Sequence, residues 1–268
     1  MCRIWMLCFL LSCFGCGSAG RSSPSAPTLS GSSTATSIAG FTLNYEAGVT
    51  SVDRTLIENG IRTAQALFQG RFGRAITGQT TVDVKAGSGP FVGQGQGHLV
   101  TIYAGDPRWS GISSTSRTRT VVHEVFHILQ GEVGWALDPT QWLFEGAAEY
   151  VGYAGAIDAG SATYTTVRNC EIQIYLDGGG SATPPLETIS FALSSSVNSR
   201  YALAWIAVDR LTGGLDGLGR LKGMWEMAGS WDQRLQAALS TTPAAFYADF
   251  AAYRLTLAPA GTNPCAAL

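Results

Sequence analysis

The residues with the clearest chemical potential are His123, Glu124 and His127, set in the segment His-Glu-Val-Phe-His. On a helix, positions i and i+4 share one face a turn apart, so both imidazoles reach a single tetrahedral zinc ion. Such an ion lowers the pKa of its water toward neutrality. Glu124, beside the open coordination position, is placed to take that proton and later deliver it to a leaving amine. Two of the chain's three histidines fall in this segment, an arrangement expected by chance about once in a thousand sequences of this composition. Val121, Val122, Val125, Phe126, Ile128 and Leu129 make the helix apolar nearly all round, and buried imidazoles on such a helix need partners. The alternative is a helix whose histidines are surface groups or hydrogen-bonded core groups.

A third protein ligand is required, and three patterns compete. A metzincin carries glycine three residues after the second histidine and histidine six after it; those positions are Gln130 and Val133. An aspartate-type zincin has only Asp138, beside Pro139 in a loop. The segment Trp142-Leu143-Phe144-Glu145-Gly146-Ala147-Ala148-Glu149-Tyr150 resembles the second zinc helix of gluzincins, in which a W-L-x-E-G-x-A run supplies a glutamate ligand. Seventeen residues separate His127 from Glu145, enough to finish one helix, turn, and bring a second one back. The likeness is to the peptidase MA-like group, relatives of thermolysin and the zinc aminopeptidases, and spans about Thr118 to Met227. It implies one zinc per chain, held by His123, His127 and Glu145, with Glu149 hydrogen-bonded to a ligand imidazole. It also implies that Tyr201, at the start of a later helix, donates to the oxyanion of the tetrahedral intermediate, with Tyr150 and Tyr153 as rivals. The Gly-x-Met-Glu-Asn segment of the aminopeptidases is absent, and Leu203 and Ala204 replace the lysine and glycine usual after their tyrosine. Free-amine specificity therefore does not carry over.

These residues need a framework. Phe41 to Glu46, Thr80 to Lys85 and His98 to Tyr103 read as strands, and Val52 to Phe68 as a helix between the first two. Gly87 to Gly97 reads as a glycine-rich turn region. From Thr118 the apolar spacing becomes helical: Thr118 to Gln130, Gln141 to Tyr153, Tyr164 to Tyr175, Tyr201 to Leu211, Asp216 to Met227 and Pro243 to Leu255. The expected fold is α+β and zincin-like, a small N-terminal sheet with the active-site helix followed by a mainly helical lobe. One domain over 41–268 is expected, α+β through 130 and helical from 131. His98 to Tyr103 is the candidate sheet edge along which an extended peptide adds as a strand.

Composition narrows the partners. Charged residues make up 13% of the chain, against roughly 25% in average soluble proteins, and the net charge is -2. Without a basic stripe, nucleic acid is excluded as a partner. A peptide or protein substrate is expected, while oligomeric state is not legible. Residues 1–16 read as an export signal, with Arg3 preceding the apolar run Ile4 to Leu11. Leu10-Leu11-Ser12-Cys13, with Cys16 close behind, resembles the lipobox of bacterial lipoproteins, so the membrane enters only through an N-terminal lipid anchor; simple secretion is the alternative. Residues 17–40, rich in Ser, Gly, Ala, Thr and Pro, read as a disordered tether. Cys170 and Cys265 are the only cysteines beyond this leader, and an exported pair often forms a disulfide. The expected activity is zinc-dependent hydrolysis of peptide bonds by an exported gluzincin-type metallopeptidase. The alternative is a non-catalytic exported lipoprotein that uses the same fold as a zinc-stabilised binding scaffold.

Overall fold

Alternation of apolar residues at Phe41, Leu43 and Tyr45 and at Val82 and Val84 buries one face of two strands in the computed structural model, which describes residues 34–135, 141–191, 197–259, 264–266 and 268. The strands are β1 (Thr34–Ile38), β2 (Phe41–Tyr45), β3 (Thr80–Lys85), β4 (Gly93–Gln96) and β5 (Leu99–Tyr103). They form one mixed sheet in the order β1-β2-β3-β5-β4. β2, β3 and β5 run parallel, and β1 and β4 pair antiparallel at the two edges. β1 lies inside the segment expected as a tether, so ordered chain begins earlier than Phe41. Its Thr and Ser residues carry no apolar alternation, and what orders them is the open edge of β2. The leader, with Cys13 and Cys16, and Asp138 lie outside the described residues.

The helices are α1 (Ser51–Leu67), α2 (Pro107–Ser110), α3 (Ser114–Glu132), α4 (Gln141–Asp158), α5 (Tyr164–Asp177), α6 (Val197–Thr212), α7 (Arg220–Glu226), α8 (Trp231–Leu239) and α9 (Pro243–Tyr253). The fold is thus α+β, with a small five-stranded sheet N-terminal to a helical region, and the described residues belong to one compact unit. Among the described residues, no helix is long and apolar enough to cross a membrane. The side chains of Thr50, Ser113 and Thr163 accept from backbone N–H groups in the first turns of α1, α3 and α5, which fixes where these helices start. α3 packs against α1 on one side and α4 on another, and α4 packs in turn on α6. Hence α3 is apolar on nearly every face: from Thr120 to Gln130 all its residues are buried.

Two glycines of α4 set how closely it meets its neighbours. A Cβ on Gly146 would lie 2.8 Å from the carbonyl oxygen of Ala204 on α6, while at Gly152 one would lie 2.8 Å from the carbonyl oxygen of Arg119 on α3. α4 is therefore wedged between two helices through two different glycines. The Cys170–Cys265 disulfide ties the C-terminal segment to α5. Replacing Gly146 by valine should force α4 and α6 apart and cost about 1–3 kcal/mol of stability or more. Urea unfolding should show the midpoint falling with the slope unchanged.

Candidate metal centre

Three elements converge on one point. α3 supplies His123, Glu124 and His127, α4 supplies Glu145 and Glu149, and α6 supplies Tyr201. His123 Nε2 and His127 Nε2 lie 3.1 Å apart, and Glu145 Oε2 lies 3.7 Å from each of them. The ligand atoms of His123, Glu124 and His127 fall within 4.8 Å of one another, all three residues are buried, and such a group could hold a metal ion.

The hydrogen bonds on the far side of each ring decide which nitrogen is bare. His123 Nδ1 is 3.1 Å from Glu149 Oε2, a carboxylate oxygen that can only accept from it. His127 Nδ1 is 2.7 Å from Gln130 Oε1. The orientation of that amide follows from its other end, where Gln130 Nε2 donates to the Phe144 carbonyl at 2.9 Å. Both Nδ1 atoms therefore carry the proton of the neutral ring, and two Nε2 lone pairs face each other beside a carboxylate. Three electron-pair donors so close repel unless a proton or a cation lies among them. This is the donor chemistry a divalent ion requires.

Without an ion, protons take that role unevenly. Burial disfavours a charged His123, but the carboxylates of Glu145 and Glu149 outweigh it and push its pKa up to about 10. Burial and then the charge on His123 push His127 down to about 4. Glu124 is pushed up to about 7, chiefly by burial, against the favourable charge of His123. Burial likewise opposes ionisation of Glu145, but contact with the two imidazoles and the Tyr201 hydroxyl holds its pKa below the usual value.

Further side chains hold this arrangement. Arg119, one turn before His123, forms an ion pair with Glu149 and stacks over the Tyr153 ring at 5.2 Å. Phe144 stacks on the His127 ring, centroids 4.8 Å apart, and continues through Trp135 to Trp225 and Phe126. β4 crosses directly over α3. A Cβ on Gly93 would meet Glu124 Cγ at 2.7 Å, and one on Gly95 would run into the Glu124 carbonyl oxygen. Only glycine lets the strand pass this close.

Of the residues singled out from the sequence, His123, Glu124, His127, Glu145, Glu149 and Tyr201 are brought together. The Tyr201 hydroxyl donates to Glu145 Oε2 at 3.2 Å, and its ring lies 6.0 Å from that of His123. Tyr150 is elsewhere, bonded to Asp209 at 2.9 Å, and Tyr153 stacks with Arg119. The strand nearest the site is β4 rather than His98 to Tyr103: β5 lies inside the sheet between β3 and β4. Gly-Gln-Gly-Gln offers no apolar alternation, so the stretch reads as turn although it pairs with β5 along its whole length. Gln130 and Arg119 were also missed as supports. The available signal was a polar residue a turn from each histidine on an otherwise apolar helix.

Compared with models of protein families and with curated protein sequences, the chain matches none.

Binding of a divalent ion must displace the proton on His123. That proton favours the metal-free fold fully below pH about 6.5, and its contribution is lost as pH rises through about 10. Ion affinity should therefore rise with pH across the neutral range, about tenfold per unit for one displaced proton. Calorimetry in buffers of differing ionisation enthalpy should count at least one proton released per ion at pH 7.

Proposed function

We propose that the chain is a zinc metallopeptidase of the gluzincin, peptidase MA-like type, with a zincin-like arrangement of sheet and helices. The observation that carries this reading is the triangle formed by His123 Nε2, His127 Nε2 and Glu145 Oε2, with sides of 3.1, 3.7 and 3.7 Å. Zinc bonds of about 2.0–2.1 Å in a tetrahedron require ligand atoms roughly 3.3 Å apart. The triangle matches that requirement and leaves a fourth position open. Glu124 stands beside this triangle with a carboxylate oxygen within 4.8 Å of the imidazole donor atoms, close enough to reach a water held there.

Zinc, when bound, lowers the pKa of a coordinated water and polarises the carbonyl of the scissile bond. The chain's own residues do the rest. His123 and His127 present their Nε2 atoms in fixed orientation because Glu149 and Gln130 hold the opposite nitrogens. Glu124 accepts the proton of the attacking water on its carboxylate and returns it to the leaving nitrogen. The Tyr201 hydroxyl, whose single proton is donated to Glu145 here, would turn that proton to the oxygen on which charge develops. β4 pairs only with β5, so its other edge offers main-chain groups to an extended peptide directly above Glu124.

Export is part of the proposal. The Cys170–Cys265 disulfide suits an oxidising compartment, in keeping with the signal-like leader and an envelope lipoprotein or secreted protein.

Glu124→Gln should keep its zinc and its fold while turnover on peptides falls by about 10²- to 10⁴-fold, the usual extent of lost proton transfer. Tyr201→Phe should lose about 10²- to 10³-fold in turnover with little change in substrate binding. Glu145→Ala should fail to retain stoichiometric zinc after dialysis. If the zinc-loaded domain cuts nothing in an unbiased peptide library, or Glu124→Gln cuts as fast as the parent, the peptidase reading fails and a zinc-stabilised scaffold replaces it.

A further inference from the structure

A cavity of about 410 Å³ adjoins the metal centre. His123, Glu124 and Tyr201 line it at the centre, and Arg119, Tyr153 and Glu171 line it beyond. A pocket of this size takes one side chain or one chain terminus with room for water. Its ionisable groups are unevenly matched. Arg119 is committed to Glu149, and Glu149 in turn holds His123. Glu171, on α5, is 2% exposed, and among the described residues no cation lies within ion-pair distance of it. The neutral Tyr153 hydroxyl lies beside it.

A carboxyl group without an ion-pair partner is costly to bury in its charged form, and a structural role would be better filled by an apolar residue at this place in the core. We propose that Glu171 is the specificity-determining residue of this cavity and that the cavity accepts a cationic nitrogen of the substrate, an ammonium or guanidinium group. This inference rests on the peptidase reading above and names the substrate class for it. A cation entering the cavity would complete an ion pair in a site of low dielectric, where the attraction is strongest. Burial and then the neighbouring Glu149 hold the Glu171 pKa above the usual carboxylate range, against the weaker pull of Arg119, whose guanidinium is paired with Glu149. Arg119 would itself attract an anion were its charge not paired with Glu149, so acidic probes belong in the test.

The nitrogen has two sources, a Lys or Arg side chain or the free amino terminus of the peptide. Equilibrium binding to zinc-loaded Glu124→Gln protein separates them with four probes: N-acetyl-lysine amide, norleucine amide, N-acetyl-norleucine amide and N-acetyl-glutamate amide. At least one of the first two should bind tenfold or more tightly than the neutral N-acetyl-norleucine amide, and which one does identifies the source. In the double variant with Glu171→Gln, that preference should shrink to threefold or less. Equal binding of cationic and neutral probes by the Glu171-containing protein, tighter binding of the glutamate probe, or an undiminished preference in the double variant would overturn the proposal. The comparison of probes on the Glu171-containing protein stands even if the double variant does not fold. A cation preference without cleavage by the parent domain would sink the peptidase reading while leaving the cavity's chemistry intact; cleavage without a cation preference would do the reverse.

Discussion

Two imidazole nitrogens facing each other at 3.1 Å inside an apolar helix pair form the constraint around which this structure is arranged. Lone pairs do not sit this close in a low-dielectric interior unless something positive lies among them. The rings cannot turn away. Glu149 holds one, Gln130 and the stacked Phe144 hold the other, and each of these supports is itself fixed, by Arg119, by the Phe144 carbonyl and by the Trp135–Trp225 cluster. Rings whose second nitrogens are held in this way keep their Nε2 atoms in the orientation that ligation of a metal ion needs.

The same constraint explains the unusual backbone nearby. α3 is buried along its histidine segment, yet Glu124 also lines the cavity beside it. β4 reconciles the two by covering α3 with a strand that has no side chains at Gly93 and Gly95, so the backbone itself forms the roof over Glu124. On the other flank, Gly152 lets α4 lie against the Arg119 backbone, which brings Glu145 and Glu149 within reach of the rings.

Much of the site was legible because its chemistry fixes residue types at fixed spacings. His123, Glu124 and His127 follow from helix periodicity, and Glu145 and Tyr201 from the motif resemblance around Trp142 and Arg200. What stayed hidden is what depends on partners distant in sequence. β1 exists because β2 has an open edge, and β4 because β5 offers one; neither carries a pattern of its own. Gln130 entered the sequence reading only as a mismatch to another family's motif, although its amide orients His127. Glu171 read as one polar residue in an ordinary helix. Only folding reveals that it is buried beside the centre with no ion-pair partner among the described residues. Pattern reports what a residue does to its own element, and these residues act on other elements.

Charge balance links the centre to its cavity. Four carboxyl groups, Glu124, Glu145, Glu149 and Glu171, are gathered around one arginine, Arg119, and two imidazoles. Protons make up the difference, which is why His123, Glu124 and Glu171 all hold theirs more tightly than usual. On the proposed reading a divalent ion would replace the proton on His123 and neutralise Glu145, but it would not reach every carboxylate. Arg119 already belongs to Glu149, so the deficit left over falls on Glu124 and Glu171. On the proposed reading, that surplus would make Glu124 a stronger base for the proton it takes. Glu171 keeps its own proton until a cation enters the cavity, and on the same reading that cation belongs to the substrate.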